Sequence, residues 1–136
     1  MKAEMRNSIA QSPPNVESLC LRTDKTRCLM VWLLELQKNA TAEELIRLSS
    51  RFKTWKIVFV HSFPNFSPMV EARVIFEALP PLAMLRAHPG LCDWSAWLQD
   101  RRALLMSKWS PEKEICYGLS FNDYAALVPK RADAVH

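Results

Sequence analysis

Glycine is nearly missing from this chain. It occurs twice in 136 residues, as Gly90 in His88-Pro89-Gly90 and as Gly118 in Tyr117-Gly118-Leu119. Average usage of about 7% would supply roughly nine. Loops that wrap phosphates need several glycines close together, because only glycine lets backbone amides crowd a ligand or take positive φ at little cost. The shortage excludes a phosphate-binding P-loop, a dinucleotide fingerprint and a glycine-flanked nucleophile elbow. No bound cofactor is expected.

Other shortages narrow the field further. The four cysteines, Cys20, Cys28, Cys92 and Cys116, show neither metal-finger nor redox-motif spacing. Cys28 and Cys116 lie in apolar runs, where a free thiol behaves as a small hydrophobe. This usage fits reduced thiols and a cytoplasmic protein. Long apolar runs are lacking too. The longest, Cys28 to Leu34, has seven residues, against the ~20 that span a bilayer. The first 27 residues hold no apolar core of a secretory signal. No membrane partner is expected.

What is present reads as an ordinary globular chain. Apolar residues make up 49% and charged residues 24%. The net charge of +4 permits an acidic partner without pointing to one. The length fits a single domain that buries about two-thirds of its unfolded surface without metal or disulfide. Residues 1–15, polar and carrying Ser12-Pro13-Pro14, read as a flexible arm, residues 16–129 as the globular domain and residues 130–136 as a mobile tail.

Residues 16–22 suit a short edge strand. The run Cys28 to Leu34 is buried, and periodicity does not decide its form: Leu and Met favour a helix, the abruptness of the run a central strand. Thr41-Ala-Glu-Glu44 is a capping box, and the helix after it aligns Leu45, Leu48 and Phe52 on one face. Glu43, Arg47 and Arg51 fall at i,i+4 spacing on what reads as its solvated side. Trp55 to Val60 is rich in β-branched and aromatic residues with no polar alternation, the pattern of an inner strand. Ser67-Pro68 opens a helix expected to run to Leu79, where Pro80-Pro81 stops it. A short helix over Leu82 to Ala87 follows, then one capped by Asp93 and running from Trp94 to about Lys108. Ser110-Pro111 suggests a further helical turn, Glu114 to Leu119 a strand, and Ser120-Phe-Asn-Asp123 a last short helix ending at Pro129. These elements predict an α/β sandwich: a short central sheet of about three strands flanked by four or five helices.

Chemistry-bearing clusters are sparse. His61, at the carboxyl end of the Trp55 strand, is the best catalytic candidate, with Cys92 or Cys28 as nucleophile; a hydrogen-bonded loop histidine is the plainer reading. His88, Cys92 and Asp93 cannot align as metal ligands, because Pro89 and Gly90 intervene. Glu43 with Glu44 and Glu112 with Glu114 read as first-turn residues that suit a helix dipole. Two binding surfaces can be read, each beside a plainer alternative: phenylalanines that fold back over the sheet edge, and core tryptophans with cations at their rim. Phe63, Asn65 and Phe66 form a proline-bounded loop with aromatic anchors for a protein interface. Trp97, Arg101, Arg102 and Lys108 on the Asp93 helix combine an aromatic ring with cations, as nucleic-acid surfaces do. The expected function is a non-enzymatic regulatory or adaptor protein, an inhibitor or accessory subunit, whose partner is another protein. The alternatives are a small basic DNA- or RNA-binding regulator and an enzyme with dispersed residues around His61.

Overall fold

The computed structural model describes residues 27–129; the arm, the 16–22 strand and the tail lie outside the described residues. Four strands and five helices alternate: β1 (Arg27–Leu34), α1 (Ala42–Arg51), β2 (Trp55–His61), α2 (Ser67–Ala72), β3 (Ile75–Ala78), α3 (Leu82–Ala87), α4 (Trp94–Trp109), β4 (Lys113–Gly118) and α5 (Phe121–Ala126). Residues 28–53 and 57–129 belong to one compact unit. Arg27 and Thr54–Lys56 belong to another, in which the Arg27 guanidinium lies 3.8 Å from the centroid of the Trp55 ring.

The strands form one parallel sheet in the order β3-β2-β1-β4. β1 pairs with β4 from Leu29↔Lys113 to Leu34↔Gly118, and β2 with β3 from Val58↔Ile75 to His61↔Ala78. The two central strands are the two continuous apolar runs, as burial on both faces demands. Side chains alternate across β1. Met30, Trp32 and Leu34 join Val60, Leu82, Leu85, Leu98, Leu105, Phe121 and Tyr124 in one core, which places α3, α4 and α5 on that face. Leu29, Val31 and Leu33 point the other way, toward the side of α1 and α2, which pack on one another. No helix among the described residues is long and apolar enough to cross a membrane.

Capping residues set the helix starts. The Thr41 hydroxyl accepts from the Glu44 amide while Glu44 accepts from the Thr41 amide. Asp93 and Ser120 accept from the amides of Ala96 and Asp123. Four expectations need correction. The sheet has four strands, not about three. The segment read as one helix to Leu79 is α2 followed by β3. Arg73 turns left-handed at φ 56, its amide and that of Val74 return to the Met69 carbonyl, and the chain leaves extended through Ile75 and Phe76. Glycine usually makes this helix stop, so its absence hid the break. Ser110 likewise terminates α4 at φ 44 rather than opening a helical turn, and Glu114 lies on β4, not in a first helical turn.

Left-handed backbone costs an L-residue roughly 1–2 kcal/mol. Ser110→Gly is expected to raise unfolding free energy by about 1 kcal/mol, since the exposed Ser110 side chain has no hydrogen-bond partner among the described residues. Gly118→Ala is expected to lower it by about 2 kcal/mol or more. At φ +80 its new Cβ would meet the Leu34 carbonyl oxygen at 2.5 Å. Denaturant titration at constant m-value reads both.

Candidate functional site

In open α/β sheets, ligands and partners gather at the carboxyl ends of the strands. Here those ends carry Glu35 after β1, His61 at the end of β2 with Ser62 just after it, the Leu79-Pro80-Pro81 segment after β3, and Ser120 after β4. Glu35 is a left-handed residue, φ 51. Its amide donates to Ser62 Oγ at 2.9 Å, and its Oε2 accepts from Ser62 Oγ at 2.8 Å and from the Leu82 amide at 3.1 Å. One carboxylate thus joins the end of β1, the end of β2 and the first residue of α3. Beside it, the Tyr124 hydroxyl donates to the Pro80 carbonyl. Burial, and then the Glu35 charge, push this phenol well above its ordinary range, so it stays a donor. Sequence reading missed Glu35 altogether; an isolated acid after a strand carries no pattern.

His61 is fully buried. Its Nδ1 accepts from the Phe63 amide at 3.0 Å, which leaves the proton on Nε2, a buried atom with no partner. Rings of Phe63, Phe66 and Phe76 surround it at 4.9–5.5 Å between centroids. Burial holds its pKa down at about 4. An imidazole boxed in this way has no open path to a substrate proton. Cys28 is the second residue of β1 while His61 ends β2, which puts them near opposite ends of the parallel sheet, ~20 Å apart. Cys92 packs against the helical core on α3 to α5. Among the described residues no group of three or more His, Cys, Asp or Glu is placed to hold a metal.

The Phe63–Phe66 loop and the Trp97 helix, separate candidates in the sequence, meet in space. Phe63, Pro64 and Phe66 line one cleft of about 340 Å³ together with Pro80, Pro81, Met84 and Trp97. The two phenylalanines differ. Phe63 is 3% exposed and belongs to the core, whereas Phe66 is 44% and Met84 52% exposed. Asn65 faces solvent, and its Oδ1 accepts from the Ser67 amide at 3.0 Å, which holds the loop in shape. The indole N–H groups of Trp32, Trp94 and Trp109 are bound to Glu114, the His88 carbonyl and Glu77. That of Trp97 has no partner among the described residues.

The cations of α4 have different partners. Lys108 Nζ lies 2.8 Å from Glu77 Oε2, and Arg102 lies 3.9 Å from Glu114 and over the Phe121 ring. Burial raises the Glu77 pKa, but hydrogen bonds from Lys108 and Trp109 outweigh it and the net shift is downward. Arg101 sits 4.9 Å from the centroid of Trp97, beside the cleft. No known protein family matches the chain, and no curated protein or solved structure does either.

Glu35→Ala is expected to lower stability by about 3 kcal/mol, because it strands the Ser62 hydroxyl and the Leu82 amide without their acceptor. The pH dependence has a defined sign. Unfolded His61 titrates near its ordinary 6.5 and folded His61 near 4. Its stabilisation is complete above pH 6.5 and is lost as pH falls toward 4, by about 3 kcal/mol in all. His61→Asn keeps an acceptor near Nδ1 but does not titrate, so its unfolding free energy should vary less steeply with pH across that window. An unchanged slope would mean that another group carries the dependence.

Proposed function

We propose that this chain is a protein-binding module, a regulatory or adaptor protein that docks an extended segment of its partner in the cleft at the carboxyl ends of β2 and β3. The observation that carries the reading is that exposed Phe66 and Met84 line one apolar cleft with Pro64, Pro80 and Pro81. Pro64, Pro80 and Pro81 restrict the backbone on two sides. The hydrogen bonds of Tyr124 and Glu35 restrict it further. A rigid apolar cleft loses little entropy when it is filled. Aromatic and proline walls suit aliphatic, aromatic or proline side chains of an extended peptide. The unpartnered Trp97 indole N–H is a donor for one of its carbonyls, and the Arg101 guanidinium beside Trp97 favours an acidic residue next to the apolar ones.

A displayed library of random peptides tests this. Selection on the wild-type chain, with counter-selection on Phe66→Ser, is expected to enrich apolar segments flanked by Asp or Glu. Phe66→Ser and Met84→Ser are each expected to weaken the selected peptides about tenfold or more, with thermal unfolding close to wild type for the exposed Met84. Peptides that bind both variants as well as the wild type would place the contact elsewhere.

A further inference from the structure

The return of the chain from β3 across the sheet to β4 creates a second site. The order β3-β2-β1-β4 means that connections leave β1 in one direction and arrive at β4 on its other side. The segment after β1 leads to α1 on one face, and the segment after β4 leads to α5 on the other. Such a reversal opens a crevice beside the carboxyl ends of the two strands, the usual ligand position in open α/β sheets.

An open groove of about 340 Å³ is lined by α1, by the segment after β1, and by Leu33 and Tyr117 near the carboxyl ends of β1 and β4. This is within the range of about 300–1,000 Å³ that small-molecule sites occupy. Its floor is apolar. Leu33 and Tyr117 are register partners across the two strands, and Leu36 and Leu48 close the sides. Its rim is cationic. Arg47 and Arg51, one turn apart on α1, both line it. Their expected role was pairing along the helix surface, but among the described residues neither forms an ion pair; the Arg51 guanidinium rests 5.5 Å from the Phe52 ring. The wall also contains Glu44, whose carboxylate is tied to the helix end by the Thr41 amide at 2.8 Å. Two guanidinium groups and one committed carboxylate leave the rim with an excess of one positive charge.

We infer that this groove binds a small organic monocarboxylate with an apolar body. The guanidinium forks of Arg47 and Arg51 take the carboxylate, and the body lies on Leu33, Leu36, Leu48 and Tyr117. Arginine suits a planar carboxylate because its donors match both oxygens. A phosphate ester would bring up to two negative charges and more acceptor oxygens, and this glycine-poor segment has no amide cradle to meet them. The monoanion fits the net charge of the rim.

Calorimetric titration of the full chain with decanoate, methyl decanoate and octyl phosphate, each below its aggregation threshold and at low salt, tests the assignment. Decanoate is expected to bind saturably at one site with an affinity better than about 1 mM. The methyl ester and octyl phosphate are expected to bind at least about tenfold more weakly. The double variant Arg47→Gln plus Arg51→Gln, whose changes are exposed and should leave thermal unfolding unaltered, is expected to bring decanoate down to the ester's level. Phe66→Ser, in the separate cleft, should bind decanoate as the wild type does. Absence of decanoate binding, equal binding of the ester, tighter binding of octyl phosphate, or full binding by the double arginine variant would each overturn the proposal.

Discussion

The carboxylate of Glu35 is the constraint on which the working end of this sheet depends. Parallel strands end in carbonyls and amides that no neighbour completes, and short connections must tie them off. Glu35 does so for two strands and a helix at once, through Ser62 and the Leu82 amide. The residue holds a left-handed backbone to reach them. Fixing Leu82 fixes the Pro80-Pro81 segment before it, which Tyr124 grips from the other side through the Pro80 carbonyl. That segment lines the aromatic cleft. The cleft is therefore shaped by a polar knot that does not itself line it, and the loop wall opposite is held by Asn65 and by the Phe63 amide on His61. Rigidity on both sides follows from hydrogen bonds, while the contact surface stays apolar.

Scarcity of glycine shapes both the fold and its recognition surfaces. Glu35, Arg73 and Ser110 occupy left-handed positions that glycine fills in most proteins, and Gly118 is kept where a side chain cannot fit. At Gly118 the edge strand closes on β1, with the Leu119 amide bonded to the Leu34 carbonyl at 3.0 Å. The backbone at the β1–β4 junction is thereby occupied with itself. Whatever binds beside it meets side chains, chiefly Arg47, Arg51 and Tyr117, and not a nest of free amides. The same holds for the cleft, whose available donor is the Trp97 indole.

Local signals were legible in the sequence wherever the physics is local. Thr41 with Glu44, Asp93 and Ser120 announce their helices, because a cap is satisfied within four residues. The β2 run announces a central strand, because burial on both faces leaves no polar alternation. The break after Ala72 was hidden. Met69, Ala72, Ile75, Phe76 and Leu79 keep helical spacing, and the stop rests on Arg73, a residue with no turn preference. Site geometry was legible only in fragments. The Phe63–Phe66 loop and the Trp97 helix were both visible, but nothing local says that they face one another or that Phe63 is core and Phe66 rim. Arg47 and Arg51 read as a solvated face, because the groove that they border is completed by Tyr117, some seventy residues on along the chain.

The distribution of charge then separates cations held by strand carboxylates from cations without an ion-pair partner among the described residues. Lys108 is neutralised by Glu77 and Arg102 approaches Glu114, both on the sheet strands that α4 lies against. Removing either would expose a carboxylate that also accepts an indole N–H, from Trp109 or Trp32, so their first effect is on packing. Arg101, Arg47 and Arg51 differ. Each is exposed, lacks an ion-pair partner among the described residues and stands next to an apolar concavity. The modest +4 of the chain is too small for long-range steering, and added salt screens exposed charges beyond about 10 Å. Under the two proposals, selectivity comes from contact: an apolar group that fills the depression and a negative charge that meets the guanidinium beside it. The two sites share no residue and differ in occupant: an extended peptide beside Arg101 in the cleft, a small monocarboxylate at Arg47 and Arg51 in the groove.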